Sequence, residues 1–334
     1  MALLVLGIFL FLMVALDIAK TTLSMRGGGK ITNALSRGVW RLFFLAARRQ
    51  GESRLLEYAG QCVLISILLT WIVCLWLSLF LALASHPGSV IDSTTKAAAD
   101  LWETFYYAGF TLSTLGVGDY SASGDGWRVL TSAAAFCGLT FITVAITYFV
   151  PVLSAVSLQN QLSIIVTSLG RTPQQILLNS WNGTDLSRFY DSATGLSQML
   201  VQHTLNHHSY PVVHCFHNSE ASKSIIPAIV TLDETLRLLD RVDVDQNRLK
   251  RKVLEAAINQ HLDMLKANYL RRVSPQAPGP VVALEPLEHA GIPLKRPAHV
   301  EQDERRRLLG ALLEADGWSW DDVFGAEHRS KGVS

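Results

Sequence analysis

Charge is scarce in this chain. Only 17% of its 334 residues are Asp, Glu, Lys or Arg, against 49% hydrophobic, and the formal net charge is +1. The balanced total says nothing about nucleic acid, which is not an expected partner, and the composition is too apolar for an ordinary soluble domain. Cysteine is sparse too. Cys62, Cys74 and Cys137 fall in apolar runs and Cys215 in the polar half, with no Cys-x-x-Cys spacing, so no disulfide framework follows. Phosphate-loop, nucleophile-elbow and His-Glu-x-x-His patterns are all missing, which argues against an enzyme, and no cofactor is implied.

The chain instead has three long apolar runs: Ala2 to Ala19, Gln61 to Ala84, and Val129 to Val156. Each approaches or exceeds the roughly 20 residues that cross a bilayer as a helix. The first competes with a secretory leader, but it has no basic residues before it and no small-residue cleavage site after it, so it reads as a retained span. The loop from Lys20 to Gly60 holds Lys20, Arg26, Lys30, Arg37, Arg41, Arg48, Arg49 and Arg54 against Glu52 and Glu57. A short loop this basic stays cytoplasmic. The N-terminus is then outside, residues 85–128 face outside, and everything after about residue 157 is cytosolic. The expected setting is a cell membrane, a bacterial inner membrane, crossed several times.

Within the basic loop, Leu35, Val39, Leu42, Phe43 and Ala46 share one helical face, while Arg37, Arg41 and Arg48 gather on another. That pattern fits a helix in the inner interface with its arginines among anionic headgroups; a soluble helix packed on the cytosolic part is the alternative.

Before the third run comes "LWETFYYAGFTLS", apolar and aromatic but only 13 residues long, and then "TLGVGDY". A helix too short to span, followed by glycine-rich backbone, reads as re-entrant. Irregular backbone at membrane depth is tolerated only when buried in protein or lining a water-filled cavity. The segment Thr114-Leu115-Gly116-Val117-Gly118-Asp119 therefore lines a pore.

These residues resemble the potassium-channel pore family, whose filter runs Thr-x-Gly-Tyr/Phe-Gly-Asp after a pore helix. The resemblance covers about residues 60–157. It implies an all-α membrane protein with a span (61–84), pore helix (101–113), filter (114–119) and span (129–156), preceded by an N-terminal span (1–19) and a basic loop (20–59). It also implies a homotetramer, because a ring of oxygens needs about four loops, with K+ as the permeant ion. Carbonyls of Thr114, Leu115, Gly116 and Val117 would replace the ion's hydration shell, and Asp119 would concentrate cations at the mouth. Tyr106, Tyr107, Phe110 and Thr111 would support the filter from behind. The chain departs from the pattern at Leu115 and at Val117, where an aromatic is expected. A weakly selective cation channel, or a non-conducting membrane sensor or scaffold, are the rival readings.

In the third run Gly138 stands where relatives often carry a hinge, and close helix packing is its other reading. Ile142, Ile146 and Val150 recur at helical spacing toward a central cavity and would gate it, with Pro151 kinking or ending the helix near Thr147. No arginine-repeat voltage sensor occurs.

Residues 158–273 read as a helical cytosolic domain, 274–298 as a proline-rich linker with six of the eleven prolines, and 299–334 as a helical tail with Trp318 and Trp320. No Gly-x-Gly-x-x-Gly run marks a nucleotide-binding ring domain. The stretch "HTLNHHSYPVVHCFH" supplies His203, His207, His214, Cys215 and His217 as candidate ligands for a metal or as proton sensors. The alternative is ordinary surface and interface histidines.

Overall fold

A computed structural model describes residues 1–24, 27–244, 246–268, 279–295 and 303–325. The protein is mainly helical, and among the described residues the only sheet is one pair of short antiparallel strands. Three helical stretches are long and apolar enough to cross a membrane: α1 (Ala2–Leu23), the run Arg54–Ala84 containing α3 (Ala59–Ala84), and α5 (Asp125–Leu169). Helices suit that role because each satisfies its own backbone hydrogen bonds. Between them lie α2 (Lys30–Ala46), β1 (Val90–Asp92), α4 (Leu101–Leu112) and β2 (Tyr120–Ala122).

The fold divides into two compact units, Met1–Val39 with Gln61–Leu153 and Ser209–Val212, and Trp40–Gly60 with Ser154–His208 and Val213–Ser334. The third span does not end near Thr147. Pro151 lies inside α5, which runs unbroken for 45 residues. Proline withholds one amide, and a single lost bond in so long a helix bends it at most.

In the first unit, Gly27-Gly28-Gly29 leads into α2, and Gly29 has no side chain with which to cap it. Asp17 of α1 takes that place. Its carboxylate accepts the amides of Ile31 at 2.8 Å and Thr32 at 3.2 Å, and the Thr32 hydroxyl at 2.7 Å. A negative group at a helix N-terminus satisfies orphan amides and opposes the helix dipole. The indole of Trp71 on α3 donates to the same carboxylate at 3.3 Å. A Cβ at Gly29 would lie 2.0 Å from Asp17 Oδ1, so only glycine fits there.

The second unit is built around α8 (Ile225–Leu239), all but Arg237 of it buried. Against it pack α6 (Pro173–Ser180), α9 (Arg248–Asn268), α11 (Asp303–Ala315) and α12 (Asp321–Phe324). α7 (Ser187–Ser209) adds Phe189, Leu196 and Leu200 to the same core. The segment read as an extended linker is folded where described. It forms α10 (Glu285–His289), buries Leu287 and Ile292, and pairs Leu294 with Val242. Residues 274–278 and 296–298 of that segment lie outside the described residues. α11 is fixed by buried charge: Arg305 forks onto Asp233, and Arg306 meets Glu234 at 2.9 Å while its other nitrogens reach the carbonyls of Gly279 and Pro280. Periodicity could not reveal that helix's partner, because the ion pairs close over 72 residues of sequence.

Candidate functional site

The short apolar segment is a helix, α4, started by a capping box in which Asp100 accepts the Glu103 amide and Glu103 accepts the Asp100 amide. It stops at Leu112, where the backbone turns. The Ser113, Thr114 and Leu115 amides fold back onto carbonyls of Gly109, Thr111 and Phe110. From there φ is positive at Thr114 (59°), Gly116 (58°) and Gly118 (91°). Positive φ at every second residue turns successive carbonyls toward one side, and glycine supplies two of the three positions at no steric cost. Thr114 carries a side chain in that region, a strained state that persists only where neighbours hold it. The hydrogen bond its N–H donates to the Thr111 carbonyl does so.

The far end is anchored as well. Asp119 O accepts the Ser93 amide at 2.8 Å, and the β1–β2 ladder pairs Asp92 with Tyr120. Sequence reasoning passed over Tyr120. The Glu103 carboxylate beside its hydroxyl, with burial and the charges of Asp92 and Asp119, pushes its pKa up to about 12. The start of α4 and the exit of the loop are thus linked.

Of the expected support residues, Tyr107, Phe110 and Thr111 are buried and Tyr106 is part-exposed. Both tyrosines lie edge-on to Phe110 at 5.1 Å, and the Tyr107 hydroxyl donates to Thr131 on α5 at 3.2 Å. By contrast, Leu115 and Val117 are 70% and 50% exposed, and nothing lies within 4 Å of a Cβ built at Gly116 or Gly118. On α5, Leu139, Ile142, Ile146 and Val150 are all exposed while Ala145, Tyr148 and Val152 are buried, so the expected gate residues share one open face. Gly138 meets α4: a Cβ there would lie 1.8 Å from the Leu112 carbonyl oxygen. The close-packing role thus has a contact in the fold.

Residues 63–155, which hold α4, this loop and parts of α3 and α5, match a protein family described as "Ion channel". The chain carries a pore-loop ion-channel domain over these residues. Over 325 residues the channel is 30% identical to the uncharacterized membrane protein YdjJ of Bacillus subtilis strain 168, and the match covers 94% of each chain. No solved structure matches it.

The channel's histidine stretch folds inward in the second unit. His203 and His207 on α7 meet His214 and, from α9, His261, which the sequence had not singled out. Neighbouring ring centroids are 5.1 to 5.9 Å apart for these contacts. His261 Nδ1 lies 2.9 Å from the Thr204 hydroxyl, and both ring nitrogens of His203 are buried without a hydrogen bond. His217 is engaged elsewhere, with Nε2 2.8 Å from the Gly51 carbonyl, Nδ1 3.5 Å from Asp316 and its ring stacked on Trp318. Burial, with Asp316 nearby, pushes the Cys215 thiol up to about 12. Among the described residues no three His, Cys, Asp or Glu side chains are arranged to hold a metal ion.

Proposed function

We propose that four copies of this chain surround one axis and conduct K+ passively through rings of carbonyls from Thr114, Leu115, Gly116 and Val117. The observation that carries this reading is the alternation of positive φ at Thr114, Gly116 and Gly118, directly after a helix of only 12 residues. Such backbone trades hydration oxygens for carbonyl oxygens, and one loop per chain calls for a closed ring of about four. Asp119 concentrates cations at the mouth, and the exposed Ile142, Ile146 and Val150 line the cavity, where an apolar constriction gates by dewetting. The N-terminus faces outward and the second unit the cytosol of a bacterial cell. Arg37, Arg41 and Arg48 sit at the inner headgroups, with the exposed Leu42 and Leu45 of α2 beside them.

Val117 favours a second reading on the same scaffold. It brings no ring that could stiffen the loop, so a weakly selective cation pore follows if rigidity sets selectivity. Purified protein in liposomes separates the readings. A K+ flux well above Na+ is expected; equal fluxes leave the weakly selective pore, and no cation flux under any condition leaves a sensor or scaffold.

A further inference from the structure

The side chains of Leu115 and Val117 do not hold the loop within this chain, because both are exposed. The amides of Thr114 and Leu115 tie its entry back to the last turn of α4, so whatever places α4 places the start of the loop, while Ser93 and the β1–β2 pairing hold its exit. Two contacts place α4 at backbone level. On one side α5 touches the Leu112 carbonyl through Gly138. On the other, Trp76 of α3 donates its indole N–H to the Phe105 carbonyl at 2.9 Å and stacks on the Phe105 ring at 4.5 Å, the planes 16° apart.

The indole needs a notch, and Gly109 provides it. A Cβ at Gly109 would lie 2.6 Å from Trp76 Cζ2 and 2.8 Å from Cε2. The Phe105 carbonyl already serves the α-helical bond to residue 109, and its second lone pair receives the indole. At membrane depth no water competes for that N–H, so losing the acceptor strands a donor. Trp76 therefore grips α4 through a ring face, a hydrogen bond and a glycine seat, one turn before the helix ends.

We propose that Trp76, seated on Gly109, is a positioning residue for ion selectivity: it fixes α4 from the outer span and so sets the spacing of the carbonyls that follow. This rests on the channel reading above. Full-length protein in liposomes is compared as wild type, Trp76→Leu, Trp76→Phe and Gly109→Ala, with Leu249→Ala as control, since Leu249 lies in the second unit and is 73% exposed. The K+/Na+ permeability ratio is read together with oligomer size. Trp76→Leu should lower the ratio several-fold at unchanged oligomer size. Trp76→Phe keeps a ring without the N–H and should fall between Leu and wild type. Gly109→Ala should reproduce the Leu result by unseating the indole, and the control should match wild type. A purely structural role would reduce the amount of assembled protein and leave the ratio of what remains unchanged. If Trp76→Leu does not assemble, wild-type ratios in both Trp76→Phe and Gly109→Ala overturn the proposal. A wild-type ratio in assembled Trp76→Leu overturns it directly. Equal K+ and Na+ flux in the wild type instead removes the reading beneath it, and the positioning role with it.

Discussion

Two residues show how differently sequence discloses function. Val117 was legible at once, because the six residues of the proposed filter are consecutive in the sequence. Val117→Tyr is expected to raise the K+/Na+ permeability ratio, read as reversal potential or competing flux, and an unchanged ratio would refute a role for the missing ring. Asp17 was not legible. Its partners lie 14, 15 and 54 residues away, and a lone acid in an apolar run gives no hint of them. It acts as a cap delivered from another helix. Asp17→Asn places an amide N–H against donors and should cost about 2–3 kcal/mol, the sum of a weakened cap and weakened hydrogen bonds to a charged group. A lower melting temperature in detergent than for Asp125→Asn, whose side chain is fully exposed, is the expected readout.

Among elements, the packing of α7 on α9 carries a dependence on acid. Burial pulls His203 down to about 4, with the His214 charge adding to it, and it pulls His207, His214 and His261 below the usual histidine range as well. Groups with depressed pKa values are neutral in the folded state, while the unfolded chain takes up protons below about pH 6.5. The stability they allow is therefore complete above that pH and is lost as pH falls toward 4. His217 works the other way. Burial disfavours its charge, but Asp316 and the Gly51 carbonyl outweigh burial and raise it, so its contribution fades as pH rises. Four depressed groups outnumber one raised group. Melting followed by circular dichroism should therefore move to lower temperature between pH 7 and 5, and His203→Phe should flatten that dependence. A transition that does not move with pH would contradict this assignment. The sequence revealed the histidines of one segment but not His261, because periodicity identifies a helix face and not the face opposite it.

For the whole molecule, the three spans and the helical class were legible from run length and composition alone. The connectivity was not. Trp40–Gly60 reads as a membrane-side loop but belongs to the second unit, where Gly51 donates to Gly317 O at 2.9 Å and the Ser219 hydroxyl donates to Glu57. Proline content likewise suggested a linker where Leu287 and Ile292 are core residues, because composition counts prolines without seeing which apolar residues between them are buried. A fragment of residues 158–334 should accordingly be less stable than the same fragment supplied with residues 40–60 as a peptide. Equal thermal midpoints would show that the loop is dispensable.

The contact of Gly138 with the Leu112 carbonyl has a consequence for heredity. Under the proposed function, one glycine would serve both the helix that opens the pore and the turn that selects the ion. Any larger residue there presses on the oxygen that begins the turn, so a substitution that alters opening also alters selectivity. At that position the two traits are pleiotropic, and neither can be refined by single changes without disturbing the other.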